Sequence, residues 1–276
     1  MTLTRTEVNA LLARHGVRPS RALGQNFVVD PNTVRRIARL ADVGVGDRVL
    51  EIGPGLGALT LALAETGAAV TAVEADRHLL PVLGEVLAGQ VGVRVVHADA
   101  MAVDWSAVIG TAPGWVLVAN LPYNVATPLV ADLLDGVPAV TRMLVMVQRE
   151  AGERLCARAG DDAYGAVSVK VAYWAHARLA GRVPAAVFHP RPNVESVLVD
   201  IRRRPGPAVD PATVDADRLF RVVRAGFATR RKMLRRALAG VVDPEAFVLA
   251  GVAPESRAED LDVEAWGRLA AAGGRR

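Results

Sequence analysis

The residue types best suited to chemistry occur in Asn120-Leu-Pro-Tyr123, directly after the apolar run 115–119. Loops at the ends of buried strands often carry function, because the scaffold beneath them is rigid. The side-chain carbonyl of Asn120 and the backbone carbonyl of Leu121 could accept both hydrogens of one amino group. Tyr123 could stack on an aromatic base. The stretch therefore suits a site that holds a base by its exocyclic amine, although a plain strand-to-helix turn would use similar residues.

A glycine loop, Gly53-Pro-Gly55-Leu-Gly57, follows another apolar run. Glycines allow a tight turn and the close approach of a ligand to the backbone. Together with Ala58 the loop also meets the dinucleotide fingerprint. The loop alone leaves two possibilities open, a nicotinamide cofactor or another adenosine cofactor.

Three acids near predicted strand ends favour one cofactor. Glu51 precedes the glycine loop and suits an ammonium group, Glu74 suits a ribose diol, and Asp99 could accept from an adenine amine. Ammonium, ribose and adenine are the parts of S-adenosyl-L-methionine. Each acid could instead only order its own loop, so it is the set of three that predicts this cofactor.

Methyl transfer to an exocyclic adenine nitrogen is slow because its lone pair is delocalised into the ring. Carbonyl acceptors at Asn120 and Leu121 would pull this nitrogen toward tetrahedral geometry and aim the lone pair at the methyl group. The methylated nitrogen is acidic enough to lose its proton to water, so no general base is needed. Catalysis would come from positioning and dipole stabilisation.

Alternating elements are predicted to position these residues. Apolar strands that alternate with helices are typical of a parallel sheet covered on both faces, an α/β fold of the Rossmann-like kind. The predicted strands are Arg48–Ile52, Ala69–Val73, Val93–Val96, Trp115–Ala119 and Met143–Val147, and the predicted helices between them are Leu56–Glu65, Arg77–Leu87 and Thr127–Leu134.

The alternation weakens after Val147. Val194–Ile201 is predicted to be a strand, paired with Arg182–Val187 at a sheet edge. A linker near residue 206 predicts two domains, 1–205 for cofactor and chemistry and 206–276 as a helical domain. Short helices are expected from Asp215 onward, with breaks near Gly226, Asp243-Pro244 and Ala253-Pro254.

A basic block lies in the predicted helical domain, with no acid inside it. It comprises Arg218, Arg221, Arg224, Arg230, Arg231, Lys232, Arg235 and Arg236. Such a block suggests an anionic partner such as nucleic acid. The helical spacing of its first three arginines would also fit an ordinary solvated helix face.

Composition limits the remaining classes. The chain has 276 residues, a net charge of +4 and 51% apolar residues, enough for a sizeable core. Cys156 is the only cysteine, so neither an internal disulfide nor a cysteine zinc site is expected. We expect no metal, no membrane span and no signal peptide, and a cytoplasmic location.

Eight motifs in order resemble the small-subunit ribosomal RNA adenine N6,N6-dimethyltransferases, whose loss in bacteria gives kasugamycin resistance. The resemblance covers residues 24–266. The motifs are Gly24-Gln-Asn-Phe27, Leu50-Glu-Ile-Gly-Pro-Gly-Leu-Gly57, Glu74-Ala-Asp76, Asp99-Ala100, Asn120-Leu-Pro-Tyr-Asn124, Met146-Val-Gln-Arg-Glu150, Phe188-His-Pro-Arg-Pro-Asn-Val-Glu-Ser196 and Phe227-Ala-Thr-Arg-Arg-Lys232.

The resemblance implies a class I methyltransferase domain with a mostly parallel sheet and a small all-helical C-terminal domain. It implies dimethylation of two adjacent adenosines near the 3′ end of 16S ribosomal RNA in a pre-30S particle, by a monomer. It assigns the cofactor to Asn26, Val28, Gly53, Glu74, Asp99 and Asn120.

The resemblance also implies that Asn120 and Tyr123 hold the target base and that Phe188 is a second stacking surface. Four positions depart from the family, of which Met233 and Arg236 do so only slightly. Val28 stands where leucine is frequent, and Asn193 replaces a common lysine, which puts one phosphate contact in doubt. With the resemblance, RNA contact becomes the favoured interpretation of Arg224, Arg230, Arg231, Lys232 and Arg235.

Three other functions remain open. A macrolide-resistance methylase would modify large-subunit RNA, but that group usually has Asn-Ile-Pro where this chain has Leu121. A ribosome-assembly factor could have kept the fold and lost the chemistry, against which the intact Asn120, Tyr123 and Glu74 argue. A nicotinamide dehydrogenase would need a catalytic Tyr/Lys or His partner, and none is evident.

Overall fold

The computed structural model describes residues 2–20 and 23–273. The chain divides into two compact units, Met1–Gly152 with Arg178–Arg202, and Glu153–Ala177 with Arg203–Arg276. The break after Arg202 lies close to the predicted boundary at 205/206. Glu153–Ala177 differs, since the sequence assigned it to the first domain. It belongs to the second unit because its residues Tyr164 and Tyr173 are buried in that unit's core.

Strands and helices alternate through the first half of the chain, as predicted. The strands are β1 Phe27–Val28, β2 Arg48–Ile52, β3 Ala69–Glu74, β4 Val93–His97, β5 Trp115–Asn120, β6 Val140–Gln148, β7 Ala175–Val183, β8 Phe188–His189 and β9 Ser196–Arg203. The helices are α1 Arg5–Arg14, α2 Pro31–Ala41, α3 Ala58–Ala64, α4 Leu80–Val86, α5 Trp105–Ile109, α6 Ala126–Gly136, α7 Arg149–Cys156, α8 Ala166–Trp174, α9 Ala216–Ala228, α10 Leu234–Ala237, α11 Pro244–Ala250 and α12 Val263–Ala272.

A seven-stranded sheet of order β4-β3-β2-β5-β6-β9-β7 is the scaffold of the first unit. Strands β2 to β6 pair in parallel, and β9 pairs antiparallel with β6. β2, β3 and β5 are almost entirely buried, which is typical of parallel strands covered on both faces. The predicted α/β fold with a mostly parallel sheet is confirmed.

The pairing of the last strands was predicted only in part. Residues of Val194–Ile201 do form a strand, but it pairs with β6, with Gln148 opposite Ser196 and Arg142 opposite Arg202. The edge neighbour of this strand is β7, whereas Ala185–Val187 forms a short 3-10 helix. The expected partner segment Arg182–Val187 was therefore wrong in most of its length.

Local signals in the sequence explain where α2 begins. Asp30 is the N-cap, and its carboxylate accepts from the backbone amides of Asn32 and Thr33. Pro31 occupies the first turn, where its missing N–H has no intrahelical partner to lose. The short strand β1, which precedes this helix, pairs antiparallel with β8, with Val28 opposite Phe188.

The second unit is helical, as expected, but α9 continues through Gly226. The predicted break there was wrong, and packing gives the reason. A Cβ at Gly226 would lie 2.4 Å from the ring of the fully buried Trp266, so the missing side chain makes room for the indole. Glycine is retained here for close packing against α12 and does not end the helix.

Candidate active site

A cavity of about 260 Å³ lies at the carboxyl ends of β2, β3, β4 and β5. Ligands bind at this edge of open parallel sheets, because successive strands deliver their following loops to one place. The structure brings together here all of the predicted cofactor residues: Asn26, Val28, Gly53, Glu74, Asp99 and Asn120. Glu51 also lines the cavity.

The glycine loop approaches its surroundings closely. Gly55 has a φ of +60°, in the left-handed region that glycine adopts without strain. A Cβ at this position would lie 2.9 Å from the ring of Phe27. The position thus requires glycine both for its backbone conformation and for the contact with β1.

Glu74 holds the glycine loop from the end of β3. Its Oε2 accepts from the backbone N–H of Gly55 at 3.1 Å, and its Oε1 accepts from that of Asp76 at 2.9 Å. Burial raises the pKa of the Glu74 carboxyl despite these hydrogen bonds. Each carboxylate oxygen can accept more than one hydrogen bond, so loop ordering leaves capacity for a ligand hydroxyl.

Glu51 is the most unusual ionisable group of the cavity. It is only 1% exposed, and its Oε2 has no hydrogen-bond partner among the described residues. Burial raises the pKa of this carboxyl to about 8, which the nearby Thr60 hydroxyl opposes and the Glu74 charge reinforces. The Thr60 hydroxyl itself lies outside hydrogen-bond geometry in the described structure. A buried carboxyl at a cavity wall, with one oxygen unpartnered among the described residues, suits a cationic ligand group.

Asp99 follows β4 and is exposed at the cavity rim. Its Oδ1 accepts from the backbone N–H of Met101 at 2.9 Å. The loop-ordering role that the sequence left open for this acid is therefore present, alongside its place in the cavity lining.

The segment before β1 is tied across the cavity by two side-chain hydrogen bonds. Asn120 Nδ2 donates to the backbone oxygen of Asn26 at 3.1 Å, and Gln25 Nε2 donates to Asp76 Oδ2 at 2.8 Å. Because the Asn120 nitrogen is used in this way, Oδ1 is the atom left to accept from a substrate amine. Gln25 and Asp76 were absent from the predicted site residues, although both lie in the quoted motifs.

The other predicted catalytic residues lie outside the cavity lining. The Tyr123 hydroxyl is hydrogen-bonded to Ser196 Oγ at 2.8 Å, and burial raises the pKa of this phenol. Leu121 is buried, and its N–H donates to the Met146 carbonyl at 3.1 Å. Phe188 is 0% exposed, so in this structure its ring offers no free face to a base.

The basic block of the second unit is less uniform than its sequence suggested. Arg218 is buried, with Nη2 donating to the Gly273 carbonyl at 3.0 Å. Arg230 pairs with Glu259 at 2.9 Å, and Arg235 pairs with Glu255 at 3.1 Å. Acids distant in sequence thus offset part of the positive charge.

Arg224, Arg231 and Lys232 are exposed on the same unit. In the part of the chain that the structure describes, no cluster of three or more His, Cys, Asp or Glu side chains is arranged for a metal ion. None of the described helices has the length and apolarity needed to cross a membrane.

The sequence was compared with models of protein families and with known proteins. The model of the family "Ribosomal RNA adenine dimethylase" matches residues 17–272. The "Ribosomal RNA small subunit methyltransferase A" of Thermobifida fusca is 47% identical, over 97% of this chain and 95% of its own. The protein of the same name from Streptomyces coelicolor is also 47% identical, over 96% and 94%.

Two solved structures share the fold. The 23S rRNA methyltransferase ErmE has a TM-score of 0.70 at 27% identity, covering 90% of this chain and 99% of its own. A dimethyladenosine transferase from Plasmodium falciparum has a TM-score of 0.72 at 22% identity, covering 88% and 95%. The predicted class I methyltransferase fold is confirmed by these neighbours, and the resemblance drawn from the motifs is confirmed by the family match. The chain belongs to the ribosomal RNA adenine dimethylase family.

Proposed function

We propose that this protein transfers methyl groups from S-adenosyl-L-methionine to N6 of two adjacent adenosines near the 3′ end of 16S ribosomal RNA, within a pre-30S particle. The observation that carries the proposal is the position of Asn120. Its amide nitrogen is bound to Asn26, and its carbonyl oxygen is left as an acceptor at a cavity lined by Glu51, Glu74 and Asp99. The small-subunit names of the 47% identical relatives support the choice of RNA.

Three carboxyl groups of the cavity fit the cofactor part by part. The buried Glu51 carboxyl would bind the ammonium group through Oε2, with loss of its own proton. Glu74 would accept from the ribose hydroxyls while holding Gly55, and Asp99 would accept from the adenine amine. Bound here, the cofactor supplies an electrophilic methyl group on a sulfonium.

The loop after β5 would hold the target base. Asn120 Oδ1 and the Leu121 carbonyl would accept the two amine hydrogens, so that the nitrogen lone pair is directed toward the cavity. Tyr123 would stack on the base and stay neutral, since burial raises its pKa. Phe188 would have to leave its buried position to stack on a base, so we assign stacking to Tyr123 alone. The proposed role of Phe188 is to support Val28, which lies opposite it in the β1–β8 pair.

The second unit would contact RNA phosphates. Arg224, Arg231 and Lys232 are exposed and suited to this directly. Arg230 and Arg235 would exchange their glutamate partners for phosphate oxygens. Family resemblance supports a cytoplasmic location and a monomer. Light scattering of the purified protein would test the monomeric state.

An Asn120→Ala variant tests the assigned chemistry. We expect loss of methyl transfer to small subunits while subunit binding is retained, because the substitution removes an acceptor in the site and no basic side chain. Loss of subunit binding as well would contradict this division of roles. Full methyl transfer by the variant would contradict the catalytic role of Asn120.

The main alternative is an adenine methyltransferase acting on large-subunit RNA. The structural similarity to the 23S rRNA methyltransferase ErmE supports this alternative. A second alternative is an assembly factor without catalysis. Methylation of large subunits would identify the first alternative. Binding to small subunits without methylation would identify the assembly factor.

A further inference from the structure

A buried carboxylate in the first unit is surrounded by arginines. Asp200 on β9 is 2% exposed and lies 3.3 Å from Arg142 Nε, 2.7 Å from Arg178 Nη2 and 3.3 Å from Arg202 Nε. We refer to these four residues as the Asp200 cluster. The arginines come from β6, β7 and β9, which are neighbours at one edge of the sheet.

The Asp200 cluster carries excess positive charge. Burial alone would raise the pKa of Asp200, but the hydrogen bonds and charges of the three arginines together outweigh it and lower this pKa. The carboxylate is therefore ionised at neutral pH. Three guanidinium groups around one carboxylate leave a net charge of +2 at this point of the surface.

Arg142 has a structural task within the cluster. Its side chain is 17% exposed and also donates to the backbone carbonyls of Leu40 and Ala41, at 3.0 and 2.8 Å. These carbonyls belong to the last turn of α2, where helical acceptors lack intrahelical partners. Arg142 thus both neutralises Asp200 and caps a helix. Arg178 and Arg202 are not needed for either of these tasks.

Arg178 and Arg202 differ, because their side chains are 68% and 59% exposed. A guanidinium has five N–H donors in a fixed fork. At this exposure most of those donors face solvent, while the bond to Asp200 restricts the rotation of each side chain. Such prepositioned forks match the oxygens of a phosphate, and less rotamer freedom remains to be lost on binding.

We propose that Arg178 and Arg202, held by Asp200, bind the phosphodiester backbone of the ribosomal RNA substrate. This inference rests on the proposed function, which supplies a polyanionic partner. It adds a phosphate-binding surface on the first unit to the basic residues of the second unit.

The test compares the affinity of an Arg178→Gln/Arg202→Gln variant and of the wild type for small subunits lacking adenine methylation. Each phosphate contact contributes roughly a 3.5-fold loss of affinity between 50 and 200 mM salt. We therefore expect the salt-induced loss for the double variant to be about tenfold smaller than for the wild type. Arg94→Gln is the matched control, since Arg94 is an exposed, hydrogen-bonded arginine on β4, at the opposite edge of the same sheet.

Affinity and salt dependence equal to those of Arg94→Gln would overturn the proposal. Thermal unfolding and S-adenosyl-L-methionine binding verify that the double variant is folded. If the double variant is unfolded, the same binding measurement on the single variant Arg178→Gln decides. Its salt dependence should change by about half as much as expected for the double variant.

Methyl-transfer assays distinguish failure of the phosphate-binding surface from failure of the proposed function. We expect an unchanged kcat at saturating subunits and a raised KM for the double variant, because the cluster contacts neither cofactor nor target base. A wild-type protein that methylates no ribosomal RNA would refute the proposed function. A wild type that methylates small subunits, with a variant that binds like the control, would refute only the phosphate-binding surface.

Discussion

Replacing Glu51 by glutamine should stabilise the cofactor-free protein at neutral pH. The carboxyl is 1% exposed, its Oε2 lacks a partner among the described residues, and burial raises its pKa from 4.5 to about 8. Glutamine keeps the shape and polarity of the protonated acid but has no proton to lose. The variant therefore isolates the contribution of this single ionisation.

The sign follows from proton binding. Between pH 4.5 and about 8 the folded chain retains a proton on Glu51 that the unfolded chain has released, so wild-type stability falls as pH rises through this window. Each pH unit within this window lowers the wild-type free energy of unfolding by about 1.4 kcal/mol. At pH 7 the ionisation of Glu51 in the unfolded chain therefore costs the wild type about 3 kcal/mol of stability. Above the folded-state pKa both states are ionised and the difference levels off.

Urea unfolding of the cofactor-free wild type and Glu51→Gln from pH 5 to pH 8 measures this difference. We expect the free energy of unfolding of the variant, relative to the wild type, to rise with pH by about 1.4 kcal/mol per unit. Glu195→Gln, at an exposed glutamate of the same unit, controls for the substitution itself. A relative stability that stays flat from pH 5 to pH 7.5 would contradict this expectation, because Glu51 would then be ionised and compensated in the folded state.

Three further predictions concern the same structure. Binding of S-adenosyl-L-methionine at pH 7 should release a proton from Glu51, visible as a buffer-dependent enthalpy in calorimetry; no buffer dependence would contradict the ammonium assignment. Gly226→Ala should lower the free energy of unfolding by about 1–3 kcal/mol in thermal denaturation, because the new Cβ would meet Trp266 at 2.4 Å, whereas a gain from helix propensity alone would contradict this packing. Tyr123→Ala should weaken binding of the target adenosine by about 1–3 kcal/mol, measured as a rise in KM. Tyr123→Phe loses only the hydrogen bond to Ser196 and should keep most of the stacking. Equal defects in the two variants would argue against stacking.

Several of the predicted cofactor residues lie at one cavity because they follow strand ends. Glu51, Glu74 and Asn120 each lie at or next to the end of a continuous apolar run of the length typical of buried parallel strands. Parallel pairing then brings those ends to one edge of the sheet, so local patterns were sufficient to group residues far apart in the chain.

Features that depend on long-range pairing were missed. One partner of β9 is β6, about 50 residues earlier, and nothing local to 196–203 identifies it. The acids that pair with Arg230 and Arg235 lie at Glu259 and Glu255, outside the basic block. Gly226 carries the usual signal of a helix break, and only the ring of Trp266 explains why the helix continues.

The function to be tested is methylation of adenine in small-subunit RNA by this chain. Its most direct test is transfer of labelled methyl from S-adenosyl-L-methionine to small and large ribosomal subunits, kept separate and lacking native adenine methylation, followed by nucleoside analysis. The expected result is N6,N6-dimethyladenosine in small-subunit RNA and no label in large-subunit RNA. Label confined to the large subunit, or binding to small subunits without any label, would contradict it.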